Sequence, residues 1–212
     1  MPPAPLSETE TRIFEAALTA FARKGKDGAR MQEIADAAGV NKALLHYYFR
    51  NKEALYGRVF EYVLGQLLQA FGTALAHDDG PSFATTLRLF IHTYIDFVAA
   101  HTDVMRLMVN EMLSGGAAVR EAFGRAGGER VADQLFGARV EAAVRAGEIR
   151  SVPPRHLLIT VVSGCIFPLI AHPMVSLLIR EAETDRAAFL AERKEHLFSV
   201  LYDGLRPRPD AP

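Results

Sequence analysis

Apolar side chains recur along nearly the whole chain at three- and four-residue intervals, and no stretch alternates apolar and polar residues between hairpin turns. That period belongs to helices, so the chain is expected to be all-α. Ser7-Glu8-Thr9-Glu10 has the form of a capping box, in which the Ser7 hydroxyl accepts an exposed amide of the first turn and Glu10 reaches back. The helix it opens carries Ile13, Phe14, Ala17, Leu18, Phe21 and Ala22 on one stripe. It is expected to stop at Lys24-Gly25, a favourable charge followed by a residue that tolerates a left-handed turn. Two short helices follow, 31–38 closing at Gly39 and 41–48 opening at Asn41, a good N-cap. From Asn51 or Lys52 a long helix runs through Leu55, Val59, Phe60, Val63, Leu64 and Leu67 to a break at 77–81. Beyond it the period predicts helices over 82–100, 103–113, 117–146 with an interruption near Gly127-Gly128, 154–183 with a bend at Pro173, and 185–205. The Pro-rich ends, 1–5 and 206–212, are expected to be loose tails.

The two short helices have the residues that a helix-turn-helix needs. Ala35 falls where the pair must cross closely, and Gly39, four residues on, can take the left-handed conformation of the turn. Ile34, Val40 and Leu45 supply a small core between them. The outward face of the second helix then comprises Lys42, Ala43, His46 and Tyr47, with Leu44 near its edge. Lys42 can donate to guanine O6 or N7, or else to phosphate, while Ala43 or Leu44 can meet a thymine methyl group. The hydroxyls of Tyr47 and Tyr48 suit phosphate oxygens. Lys52 opens the next helix, where free amides and a positive dipole end already favour a phosphate. An Ala-x-x-x-Gly pair also arises by chance between ordinary helices, so the wider stretch decides.

That stretch is Ile34-Ala35-Asp36-Ala37-Ala38-Gly39-Val40-Asn41, then Leu45, Tyr47-Tyr48-Phe49 and Lys52-Glu53-Ala54-Leu55. It resembles the DNA-binding core of the TetR family of transcriptional regulators, over about residues 11–63. The resemblance implies a bacterial regulator of transcription, commonly a repressor and not an enzyme. It implies an N-terminal three-helix DNA-binding domain over 1–52 and a helical effector-binding and dimerisation domain over 53–212. Phe49 would be the aromatic plug and Lys52-Glu53-Ala54-Leu55 the start of the connecting helix. Carried over position by position, the family's DNA contacts fall on Arg30, Gln32, Lys42, Ala43, Leu44, His46, Tyr47, Tyr48 and Lys52, with Asn41 joining the candidate set at the head of the reading helix. His46 stands where the family commonly has Tyr, and Leu44 where it often has Thr.

Composition narrows the alternatives. Half of the 212 residues are hydrophobic and 23% are charged, enough for one large helical domain with a small module attached. A net charge of -1 argues against a protein that coats nucleic acid non-specifically. Residues 1–60 nevertheless carry 9 Lys/Arg against 7 Asp/Glu while the remainder is net acidic, a slant that permits DNA binding without requiring it. The single cysteine, Cys165, excludes an internal disulfide and fits a reducing cytosol. No secretory signal pattern opens the chain, so the expected location is cytoplasmic. Residues 157–179 hold no Asp, Glu, Lys or Arg and by length alone would suit a membrane span. Pro168, His172 and Pro173 interrupt them and no basic cluster flanks one side, so a buried helix pair is expected and no membrane partner. No nucleophile elbow, Gly-rich phosphate loop or His-Glu-x-x-His nominates a reaction.

A lone helix-turn-helix makes too few contacts for useful specificity, whereas two related by a twofold axis read half-sites about one DNA turn apart or farther. A homodimer on a palindromic double-stranded operator is therefore expected. Residues 157–179, with Phe189, Leu190, Leu197, Phe198, Leu201 and Leu205, look like the surfaces that family dimers join in a four-helix interface. Met105, Met108 and Met112 recur at helical spacing close to Phe90, Tyr94 and Phe97 on the preceding helix. Thioethers beside aromatic walls suit a pocket for a small, largely apolar effector, with Cys165 as a further candidate wall, and ordinary core packing accounts for the same residues. Asn110 and Glu111 would orient a ligand's polar end, or Glu111 would be a solvated charge. His92 with Asp96, and His101 with Asp103, offer two ligands each, short of a closed metal site, so no metal or cofactor is expected. Cys165, among Ile and Phe with no neighbouring cation, reads as an inert thiol.

Overall fold

The computed structural model describes residues 7–76 and 82–207, and among them there is no strand. The helices are α1 (Glu8–Gly28), α2 (Met31–Ala37), α3 (Lys42–Tyr48), α4 (Lys52–Ala76), α5 (Phe83–Ala100), α6 (Thr102–Leu113), α7 (Ala117–Arg125), α8 (Gly128–Ala132), α9 (Ala138–Arg145), α10 (Pro154–Ile170), α11 (His172–Leu178), α12 (Glu181–Thr184) and α13 (Arg186–Leu205), with a π-helical turn at Asp133–Gly137. The expected break at 77–81, the expected N-terminal tail 1–5 and residues 208–212 of the expected C-terminal tail lie outside the described residues.

Two compact units share these helices. The first takes the described parts of Met1–Gln66 together with His101–Gly127, and the second those of Leu67–Ala100 and Gly128–Pro212. Compactness thus divides the chain differently from the expected 1–52 and 53–212, because α6 and α7 fold with the N-terminal helices.

In the first unit α1 opens as expected: the Glu10 amide donates to the Ser7 hydroxyl at 3.2 Å, and the Ser7 amide donates to the Glu10 carboxylate at 3.0 Å. The Ser7 amide and, at 2.8 Å, the Ser7 hydroxyl both donate to the Glu10 carboxylate and hold it below the usual carboxylate range. The regular turns end at Gly25, whose φ of 67° breaks the spiral where Lys24-Gly25 predicts, but one further turn carries the helix to Gly28. Ile13, Phe14, Ala17, Phe21 and Ala22 are buried on its inner stripe. α6 lies along α1 and buries Val104, Leu107 and Glu111. Three polar ties accompany it: Thr19 donates to Asp103 at 3.0 Å, Asn110 donates to the Ala22 carbonyl at 3.4 Å, and Tyr56 donates to Glu111 at 2.9 Å. Glu111, open in the sequence between ligand contact and solvated charge, is neither here. It is 6% exposed, and its second oxygen accepts the Ala118 amide at 2.7 Å, capping α7 from seven residues away. Asn110 is likewise engaged within the fold.

In the second unit Phe71, Phe83, Leu87, Phe90, Ile91 and Ile95 pack with Phe136 and Val140, with Val161 and Cys165 of α10, and with Leu197 and Phe198 of α13. α10 and α13 approach so closely at Gly164 that a Cβ there would sit 2.7 Å from a Leu197 methyl. Arg193 reaches across to the Gly164 carbonyl at 2.9 Å. The expected 117–146 helix is interrupted at Gly127, as anticipated, and again by the π turn, which carries Phe136 into contact with Phe90 at 5.0 Å. α10 and α11 meet at 84°, and the bend falls at Ala171 rather than Pro173. Pro173, which lacks an amide hydrogen, sits in the first turn of the new helix, whereas Pro168 is held inside α10. The expected buried pair is only half realised: Ile159, Phe167 and Ile170 of α10 are exposed, and α11 buries no residue. No single described helix is long and apolar enough to cross a membrane.

Candidate nucleic-acid interface

The turn between α2 and α3 is built by hydrogen bonds that the sequence dictates. Gly39 has a φ of +66°, which lets the Val40 amide return to the Ala35 carbonyl at 3.0 Å and its own amide to the Asp36 carbonyl at 3.2 Å, the paired bonds of a Schellman stop. Ala35 is fully buried at the crossing. Asn41 is extended, and its side-chain oxygen accepts the Leu44 amide at 2.7 Å, starting α3. Phe49 ends α3 with its amide bonded to the Leu45 carbonyl at 2.9 Å, and its ring meets the edge of Phe14 at 5.2 Å. Asn51 repeats the Asn41 device by accepting the Ala54 amide at 2.8 Å, which launches α4.

α3 is moored by one side chain. Leu45 is 0% exposed, whereas Lys42, Ala43, Leu44, His46, Tyr47 and Tyr48 are all exposed, Tyr47 to 81%. At 100° per residue, Ala43 and Tyr47 stand opposite Leu45, with His46 on one flank and Leu44 on the other. His46 is turned so that its Nδ1 lies 3.1 Å from the Arg50 carbonyl oxygen. The Tyr47 and Tyr48 rings meet edge to face at 5.7 Å.

The other DNA-binding candidates belong to the same unit. Arg30 is the exposed extended residue before α2, and Gln32 is exposed on α2 with its amide donating to Asp36 at 2.7 Å. Lys52 is half-buried and more occupied than the sequence implies: its ammonium donates to the carbonyls of Asp27 and Ala29, at 3.1 and 3.3 Å, and so caps the end of α1. Arg50, exposed between α3 and α4, was not singled out by the sequence pattern. A cation directly after the reading helix is the signal that marks it.

The effector candidates divide between the units. Phe90, Tyr94, Phe97 and Cys165 belong to the second, where Phe90 stacks on Phe71 at 4.5 Å and on Tyr94 at 6.3 Å. Burial pushes the Tyr94 hydroxyl up to about 12 and the Cys165 thiol up to about 12. Arg193 lowers the latter slightly, a cation beside Cys165 that sequence neighbourhood does not reveal. Met105 and Met108 are half-buried and Met112 is exposed, all three on α6 in the first unit. Asp96 pairs with Lys194, His92 faces Glu195, and Asp103 is held by Thr19. Among the described residues no group of three or more His, Cys, Asp or Glu is placed to hold a metal ion.

Residues 13–59 match the family model described as bacterial regulatory proteins, tetR family, and residues 84–201 match that of the tetracyclin repressor-like C-terminal domain. The HTH-type transcriptional repressor SCO4008 of Streptomyces coelicolor is 34% identical over 178 residues, covering 81% of this chain and 83% of its own. The HTH-type transcriptional regulator RutR of Escherichia coli K12 is 27% identical over 203 residues, 96% of this chain and 93% of its own. Among solved structures, the transcriptional regulator SCO4942 of Streptomyces coelicolor superposes with a TM-score of 0.70 at 26% identity, covering 95% of this chain and all of that one. These relatives are named as regulators rather than as enzymes.

Proposed function

The chain belongs to the TetR family of bacterial DNA-binding transcriptional regulators, and we propose that within it the protein is a ligand-responsive repressor. Two copies, as a homodimer, present α3 to the half-sites of a palindromic operator, and a small, largely apolar molecule held by the second unit changes their hold on DNA. The observation that carries this reading is the exposure of α3, six of whose seven side chains serve no core. Tyr47, 81% exposed beside the exposed Leu44 and Tyr48, gives this face an apolar patch that suits a partner outside the chain. In this reading α3 enters the major groove, Arg30, Gln32, Asn41, Lys42 and Tyr48 hold base edges or phosphates, and Lys52 offers its remaining N–H to a phosphate.

The homodimer is supported by the apolar residues that α10, α11 and α13 leave in solvent: Ile159, Phe167, Met174, Leu177, Leu178 and Val200. Obligate interfaces resemble a core cut in half, and such a surface suits a twofold contact with a second copy. Effector binding is supported by the Phe90, Tyr94 and Cys165 region, aromatic and almost free of charge. For release of DNA, the effector must bind the DNA-free geometry more tightly than the DNA-bound one. Repression is supported by the name of the 34% identical relative, and a cytoplasmic location follows from acting on chromosomal DNA.

A mobility-shift titration with duplexes tiling the DNA on either side of the protein's own gene tests the reading. One segment is expected to give a retarded complex that weakens steeply with salt. Absence of a complex on every segment rejects it.

A further inference from the structure

The reading face of α3 is poor in side chains that make paired hydrogen bonds to base edges. Bases are ordinarily distinguished in the major groove by Arg, Lys, Asn, Gln, Asp or Glu, and α3 has only Lys42 from that set. The side chains around the pole opposite Leu45 are instead a methyl (Ala43), an isobutyl (Leu44), a phenol (Tyr47) and an imidazole (His46). Alkyl groups have one specific partner in that groove, the C5-methyl of thymine.

His46 adds a defined polarity. The Arg50 carbonyl oxygen, 3.1 Å from Nδ1, can only accept, so this contact is satisfied by the tautomer that carries its proton on Nδ1. In that tautomer Nε2 is a pure acceptor. The exocyclic amino groups of cytosine N4 and adenine N6 are the base donors in the major groove, whereas guanine N7 and O6 and thymine O4 are acceptors and would face Nε2 with like polarity.

We propose that this protein selects its half-site through thymine methyl groups packed against Ala43 and Leu44, together with one exocyclic amino group donated to His46 Nε2. His46 is thereby a specificity-determining residue, although Tyr is common at this position in the family that the sequence resembles. The inference rests on α3 being the DNA-reading helix.

The test begins by selecting bound duplexes from a pool of inverted repeats with randomised half-sites, using the full-length protein. The enriched half-site is expected to contain adjacent fixed thymines and one fixed cytosine or adenine. Replacing each fixed thymine by deoxyuridine, which removes the methyl group alone, is expected to weaken binding about fourfold per methyl. Replacing the fixed cytosine by 2-pyrimidinone, or the fixed adenine by purine, removes the amino group and separates the two bases. The loss should appear with the wild type and vanish in the His46→Ala variant, whose fold circular dichroism checks. Deoxyuridine duplexes that bind as tightly as thymine ones, or a half-site fixed by guanines alone, overturn the proposal. If no duplex is enriched at all, the DNA-reading role of α3 fails before any base is modified, which is a different result.

Discussion

Single residues set the local geometry of the reading head, and Gly39 is the sharpest case. A left-handed backbone costs an L-residue with a Cβ roughly 1–2 kcal/mol, while the nearest atom to a Cβ at Gly39 is an Arg12 nitrogen at 3.9 Å. Gly39→Ala should therefore suffer from backbone strain and not from a clash. Its thermal midpoint, followed by circular dichroism, is expected to drop by several degrees, with Gly39→Asn recovering much of the loss because Asn tolerates that conformation. Cys165 offers a second test. With its thiol pushed up to about 12 by burial, it should resist iodoacetamide at pH 8 in the native protein and react promptly once denaturant opens the second unit. Ser7, Gly39 and Asn41 were legible in the sequence because a cap acts within three to five residues. Glu111 was not legible, since the donor that satisfies it, Tyr56, is 55 positions away.

Helices obey the same division between near and far. The 3.6-residue period placed nearly every helix, since burial of one stripe is written into the spacing of apolar residues. It missed the π turn at Asp133–Gly137, whose inserted residue shifts the phase of the stripe without changing its composition. Nor does a period say which neighbour a stripe will meet, so the division of Phe90 and Met105 between different units was beyond it. α6 is held to α4 and α7 by the Glu111 carboxylate, with one oxygen for the Tyr56 hydroxyl and the other for the Ala118 amide. Glu111→Gln keeps one acceptor for two donors, and Tyr56→Phe leaves one carboxylate oxygen without its donor. Each is expected to destabilise the protein by about 1–3 kcal/mol, read as a lower urea midpoint with an unchanged slope. The double variant should lose less than the sum, because both remove the same contact.

For the whole molecule, the apolar residues left in solvent make the strongest demand. Ile159 of α10 and Val200 of α13 are 63% and 57% exposed on helices whose opposite sides form the core of the second unit. Ile159→Glu with Val200→Glu should leave that core intact and place charge in a proposed twofold contact. Sedimentation is expected to show a monomer with native helix content, and operator affinity should fall steeply because each half-site is then held alone. A dimer that persists with undiminished affinity would exclude this face. The single mooring of α3 has a consequence on a longer timescale. Since Leu45 is the one side chain of that helix buried in the body, its most exposed positions, such as Ala43 and Tyr47, can drift with little disturbance of the scaffold. A lineage carrying this head can acquire a new genomic address by point changes that selection for foldedness never sees.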